Sequence, residues 1–312
     1  MQALSIAFHA IVPLFLIIAV GYTVKRLGWI GPEEVRRFNK VTFYTFMPVM
    51  LFYNIYTSDL SGAVQPKLLI FAAAGVLAEY ALAFCYVMLT EKSTSKRGVK
   101  IQGIYRSNFV IIGLPLATAL VPGADAGSVV VLISVVVPMF NAIAVITLEL
   151  FSGKRPNALG IIIDVFKNPL ILGTVVGIAF QLLGIRLPEA LLSTIKQISA
   201  ATNPMMLFML GAFFQWGGIH KYIKDLVEVC LGRLVVMPGI FLTAAYFLGI
   251  RGIAFAGMIA IFGSATAIAS FTMVQQMGGD DELAGDIVVS TSALCCFTMF
   301  AWSFIFKSLG VF

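Results

Sequence analysis

Apolar residues come in long blocks along this chain, parted by short stretches of charged and turn-forming residues. A helix rises 1.5 Å per residue, so a hydrocarbon layer ~30 Å thick needs roughly 20 apolar residues to cross it. Ten blocks approach that length, at about 6–24, 41–57, 68–89, 102–121, 127–151, 169–185, 197–216, 226–248, 253–276 and 284–306. The joints carry turn chemistry, including Gly31-Pro32-Glu33-Glu34, Ser58-Asp59, Ser93-Thr94-Ser95-Lys96, Val121-Pro122-Gly123, Gly217-Gly218 and Gly278-Gly279-Asp280-Asp281. The pattern predicts an all-α membrane protein of ten transmembrane helices with no soluble domain.

Composition narrows the class. Apolar residues make up 60% of the 312 and charged ones only 12%, with a mean hydropathy of +0.97, against about 25% charged in soluble domains. The first block is expected to be a structural helix rather than a signal peptide, because no Lys or Arg precedes it and Lys25-Arg26 follow it. Cys85, Cys230, Cys295 and Cys296 all fall inside blocks without metal-ligand spacing, so they read as small packing residues. No metal or cofactor is expected.

Lys and Arg cluster in alternate joints: Lys25 to Lys40, Lys92 to Lys100, Lys154 to Lys167, and Lys221 with Lys224. The other joints and the C-terminus hold only Lys67, Arg186, Lys196, Arg251 and Lys307. By the positive-inside rule both termini lie outside. The net charge of +6 is spread over these joints rather than gathered on one face, so nucleic acid is not an expected partner.

At an offset of 156 the two halves align without a gap. Pro13 meets Pro169, Val20-Gly21 meets Val176-Gly177, and Pro32-Glu33 meets Pro188-Glu189. Further along, Lys40 meets Lys196, Pro48 meets Pro204 and Met50-Leu51-Phe52 meets Met206-Leu207-Phe208. We therefore read residues 1–155 and 156–312 as two five-helix repeats. An odd number of spans per unit inverts the second repeat relative to the first, the plan of many secondary transporters. Such a pair offers two similar states, one open to each side.

Ionisable groups at bilayer depth are costly and mark functional positions. Glu149 sits near the end of its block and can snorkel. Glu79 and Arg233 lie at comparable depth in blocks three and eight and can form a buried ion pair, either functional or simply holding helices together. Arg106 opens a polar cluster, Arg106-Ser107-Asn108, that runs on to Gly113-Leu114-Pro115. Pro115 lacks an N–H and clashes with the carbonyl of Ile111, so a helix break is expected near Gly113 and Pro115. Freed N–H groups at a helix start, with the Asn108 amide and the Arg106 guanidinium, suit an organic carboxylate; a kink re-satisfied by Ser107 is the alternative. The ninth block is correspondingly polar, with Ser264, Thr266 and Ser270, which either join that site or let helices approach closely. Pro48 and Pro204 are expected to bend helices beside the same cavity. Gly278-Gly279-Asp280-Asp281 reads as a turn followed by an N-capping Asp. No catalytic or nucleotide-binding motif occurs, so the chain does not read as an enzyme.

Arg106-Ser107-Asn108 running to Gly113-Leu114-Pro115-Leu116, then Gln275-Gln276-Met277-Gly278-Gly279-Asp280, resembles the auxin efflux carrier family of the bile-acid, arsenite and auxin transporter superfamily. Asn168-Pro169, Leu210-Gly211 and Arg233 followed by Pro238 also match that pattern in order. The resemblance implies crossed broken helices in spans 4 and 9. It further implies a scaffold and a transport domain each assembled from both repeats, elevator movement, a homodimer, and contact of Asn108 with a substrate carboxylate. Two positions depart from the family's pattern: Ala265 stands where many members have Pro, and Ala269 occupies a nearby polar position. The short link from 152 to 168 resembles the bacterial branch, whose members are assigned to malate, malonate and similar acids at the inner membrane.

The first reading is thus a secondary carrier of small organic anions, mono- or dicarboxylates, embedded in a lipid bilayer. A sodium-coupled symporter of the bile-acid type would need oxygen ligands clustered at the crossover. A ligand sensor could use the same pocket without moving solute.

Overall fold

A computed structural model of the chain describes residues 2–58, 65–152 and 158–312, with side chains omitted for 2–11, 110, 112–114, 158–162 and 216. Asp59 of the second joint, and Lys154 and Arg155 of the link between the halves, lie outside the described residues. The described chain is helical throughout and contains no β-strand. In order the helices are α1 (Gln2–Arg26), α2 (Pro32–Val41), α3 (Met47–Tyr56), α4 (Pro66–Thr90), α5 (Thr94–Tyr105), α6 (Phe109–Leu120), α7 (Gly127–Leu150) and α8 (Ala158–Lys167). There follow α9 (Pro169–Leu182), α10 (Glu189–Phe213), α11 (Trp216–Lys221), α12 (Ile223–Leu231), α13 (Met237–Phe247), α14 (Gly252–Gly263), α15 (Ala269–Met277) and α16 (Asp281–Ser308). Pro66–Thr90, Gly127–Leu150, Ile223–Phe247 and Asp281–Ser308 are long and apolar enough to cross a membrane.

Two helices are continuous only through a π turn. Thr42–Phe46 joins α2 to α3, and Gly232–Val236 joins α12 to α13. Each turn runs directly into a Met-Pro pair, Met47-Pro48 or Met237-Pro238. A proline inside a helix loses one hydrogen bond and collides with the carbonyl four residues back. The wider turn absorbs that conflict, with Met47 N–H reaching Thr42 O and Met237 N–H reaching Gly232 O. The carbonyl four residues before Pro238 belongs to Leu234, and the indole of Trp302 donates to it at 2.9 Å. Pro204, by contrast, sits inside an uninterrupted α10.

Hydropathy set several helix starts too late: the second helix begins at Pro32 rather than about 41 and α10 at Glu189 rather than about 197. The fourth block was expected from about 102, yet α5 begins at Thr94. Its charged first half is folded inward: Lys100 is buried and bonds Glu91 at 3.3 Å, Asp225 at 3.0 Å and Glu228 at 2.5 Å. Cysteine packing holds for Cys230 and Cys295, which are buried, whereas Cys85 is exposed. Asp280 caps α16 as expected, its carboxylate accepting from Leu283 N–H at 3.0 Å.

Small residues set the tightest contacts. α1 packs chiefly on α10, and α3 on α9. A Cβ at Gly21 would overlap the Phe208 carbonyl, and one at Gly211 the Ile18 carbonyl. On the other pair, a Cβ at Gly173 would press on the backbone of Pro48 and one at Gly177 on that of Phe52. Close backbone approach through small residues is how apolar helices associate where no hydrophobic drive separates them from lipid.

Candidate functional site

The site is built where two helices stop and restart. α5 ends at Tyr105 and α6 starts at Phe109; α14 ends at Gly263 and α15 starts at Ala269. α5, α6 and α14 are 12 residues each and α15 nine, ~18 Å or less apiece, so each alone is shorter than a hydrocarbon layer ~30 Å thick. The extended segments between them cross as a two-residue antiparallel bridge of Ser107 with Thr266. Asn108 N–H donates to Ala265 O at 2.9 Å, and Ala267 N–H to Arg106 O at 3.1 Å.

This corrects the expected position of the first break. It lies at 106–108, and α6 runs unbroken through Gly113 and Pro115. Backbone pairing with the second crossing decides the break, and the bridge needs extended residues at Arg106 and Ser107 whatever Pro115 prefers. The second segment is also broken, at 264–268, even though Ala265 and Ala269 stand at its departures from the family pattern.

Four helix ends therefore converge. Those of α5 and α14 are C-terminal and partly negative, whereas those of α6 and α15 are N-terminal and partly positive. Arg233, fully buried, sits on the negative pair. Its guanidinium donates to Ile104 O at 3.3 Å and Tyr105 O at 3.1 Å of α5, to Ile261 O at 2.7 Å of α14, and to Ser264 O at 2.8 Å. Glu79 of α4 balances the charge at 2.7 Å. The anticipated ion pair is present, and it does more than join two helices: it closes the ends of both broken ones.

The positive pair faces a cavity of ≈ 60 Å³ whose wall includes Arg106, Asn108, Asn141, Asn54 and Asn203. At ~10–15 Å³ per water centre, that is room for a few waters, the scale of a small carboxylate. Arg106 is 2% exposed and bonds only uncharged acceptors: Asn141 Oδ1 at 2.5 Å, Gln102 Oε1 at 3.1 Å, Met273 Sδ at 2.9 Å and Ser270 Oγ at 3.4 Å. No carboxylate pairs with it among the described residues. Asn108, 8% exposed, is the N-cap of α6, and its Nδ2 has no hydrogen-bond partner among the described residues. The first N–H groups of α6 are those a helix leaves without internal partners.

The other expected residues divide. Ser107 lines the cavity but bonds Ser264 Oγ at 2.8 Å and Ala260 O at 3.1 Å. Thr266 Oγ1 is committed to Gly103 O at 2.7 Å. Ser264 and Thr266 thus stitch the crossing together, Ser270 supports Arg106, and Pro115 lies outside the cavity wall, while the surroundings of Gly113 fall outside the described side chains. Pro48 and Pro204 flank the cavity through their neighbours, Met50, Leu51 and Asn203. Glu149 has its own partner and takes no part in the wall. Sequence inspection missed Asn54, Asn141 and Asn203; the available signal was a lone amide inside an apolar block, which a search confined to ionisable groups passes over.

With this geometry in view, the family follows from comparison with known proteins. A family model described as membrane transport protein matches residues 6–303. The chain belongs to the auxin efflux carrier family. An uncharacterized transporter from Methanothermobacter thermautotrophicus is 20% identical over 298 residues, covering 95% of this chain and 97% of that protein. Membership of a transport family and the apolar membrane-length helices together place this auxin efflux carrier family member as an integral membrane protein of the transporter class.

Proposed function

We propose that this protein is a secondary transporter of small organic anions, mono- or dicarboxylates such as malate or malonate, in a bacterial plasma membrane. The observation that carries the reading is Arg106: a guanidinium keeps its charge at physiological pH, is buried beside a cavity, and has no counter-anion among the described residues. Burying an uncompensated charge costs several kcal/mol, and a substrate carboxylate would supply the missing partner. Asn108 Nδ2 and the start of α6 add donors facing the same space, as anions at helix N-termini require.

Alternating access is supported by reciprocal packing. Gly21 packs on Phe208 and Gly177 on Phe52, and an offset of 156 converts each pair into the other. The α1 with α10 and α9 with α3 contacts exchange in the same way. On this reading ten spans form two inverted repeats with both termini outside. The helices α1 to α3, α9 and α10 make the scaffold of a homodimer, and the remainder carries the crossing past it as an elevator.

Purified protein in proteoliposomes should take up labelled malonate, and an Asn108→Ala variant of normal folding should lose most of that uptake. Uptake of none of a panel of labelled mono- and dicarboxylates would overturn the reading.

A further inference from the structure

We propose that a second, basic pocket at the far end of α15 is an anion vestibule that feeds the Arg106 cavity; the inference rests on the transport reading above. This pocket, ≈ 420 Å³, lies between α2 and the C-terminal end of α15 and is lined by Arg36, Arg37 and Lys40 on one side and Gln275 and Gln276 on the other. Arg37 pairs with Glu33 at 3.6 Å and Arg36 with Asp281 at 3.7 Å, both long ion pairs, while Lys40 has no ion pair among the described residues. Arg36 and Lys40 are four apart and share a helix face, so the pocket presents a net positive wall.

Cations near a helix C-terminus are favourable on dipole grounds alone, but that account leaves the next layer unexplained. Asp281 Oδ2 accepts from Gln275 Nε2 at 3.3 Å, and Gln275 Oε1 accepts from Asn39 Nδ2 at 2.7 Å. Asn39 is fully buried and its Oδ1 has no partner among the described residues. A polar chain therefore runs from Arg36 into the packed interior between α2 and α15. The same two walls continue to the inner cavity: α15 reaches it at Ala269, and the helix beginning with α2 reaches it at Met50. Between the two spaces Asn39, Phe43 and Met47 are all buried, so the passage is shut.

The geometry assigns Arg36 two alternative partners. A small carboxylate entering the vestibule competes with Asp281 for Arg36. The bond from Asn39 to Gln275 keeps α2 against α15 beneath the vestibule. Steering of charged ligands by such a wall raises encounter rates by ten- to a thousandfold at low ionic strength.

Two measurements test this. Crystals soaked in bromide should show an anomalous peak beside Arg36 and Lys40 that is lost in an Arg36→Gln, Lys40→Gln double variant. In proteoliposomes at low salt the same variant should raise the KM for labelled malonate about threefold to tenfold with Vmax kept, the difference shrinking at high salt. An unchanged KM, a fall in Vmax alone, or no bromide at Arg36 overturns the vestibule. Thermal stabilisation by malonate separates the two readings: if it persists in the double variant while KM is unmoved, the vestibule fails and the carboxylate site stands. Bromide at Arg36 without any malonate effect on the unaltered protein leaves an anion pocket and removes the carboxylate reading.

Discussion

Arg106 and Arg233 are both buried at the crossing, and the company each keeps differs. Arg233 has a carboxylate at 2.7 Å and carbonyls at the closing ends of α5 and α14, so its charge is answered twice, by Glu79 and by two helix dipoles. Arg106 has an amide oxygen from Asn141, another from Gln102, a hydroxyl and a thioether. Each is a good neutral acceptor, and none cancels a charge. A protein that needed Arg106 only to hold helices together would do better with a neutral residue, because replacing buried charge by packed apolar groups is often neutral or stabilising. The contrast separates a guanidinium that completes the fold from one that leaves room for a ligand.

The sharpest way to break this comparison is to remove the compensating groups. Glu79→Leu leaves Arg233 buried without a counter-ion, and the expected cost is about 3–5 kcal/mol. In detergent the thermal midpoint should fall steeply, and adding Arg233→Leu should recover part of the loss. An unchanged midpoint for Glu79→Leu would show that the carbonyls alone satisfy Arg233. The matching change at the other arginine has the opposite sign for stability. Arg106→Gln should keep or raise the midpoint while abolishing stabilisation by malonate. A charge-assisted hydrogen bond contributes about 1.5–3 kcal/mol, so binding should weaken about tenfold to 150-fold. A drop in midpoint resembling that of Glu79→Leu would make Arg106 structural and remove the anion argument.

Legibility in the sequence follows the same divide. Helical blocks, the Glu79 and Arg233 pair, and the polar cluster at Arg106 could be read because each leaves a mark on hydropathy or places an ionisable group at depth. Three things could not. The start of α5 was hidden because Lys100 is charged yet buried among Glu91, Asp225 and Glu228, a neutralisation visible only in three dimensions. The break was placed at Pro115 because proline is the local breaker, whereas a non-local bridge to Ala265 and Ala267 decides it. The Arg233 clamp depends on carbonyls of two other helices, which no residue type announces. Asn54, Asn141 and Asn203 were visible in principle as solitary amides, and only their convergence on one cavity gives them meaning.

A smaller effect distinguishes the hydrogen-bond donor from the charge. Asn108→Ala removes Nδ2, a donor without a partner among the described residues, so the fold loses little and the midpoint should stay close to that of the parent. One bond to a carboxylate at the lower end of the charge-assisted range is about tenfold in affinity. Isothermal titration with malonate reads that directly; a midpoint that falls while affinity holds would make Asn108 a cap for α6 and nothing more.

The smallest expected effect tests whether the crossing itself is stitched by hydroxyls or only decorated with them. Ser264→Ala deletes the partner of Ser107 Oγ, which keeps its bond to Ala260 O at 3.1 Å. The side chain of Ser264 is fully buried and outside the cavity wall. One neutral hydrogen bond contributes about 0.5–1.5 kcal/mol, so the midpoint should drop slightly and malonate affinity should change by less than about threefold. A large loss of affinity at constant stability would move Ser264 from the crossing into the binding site, and would mean that the cavity extends past the bridge when a ligand is bound.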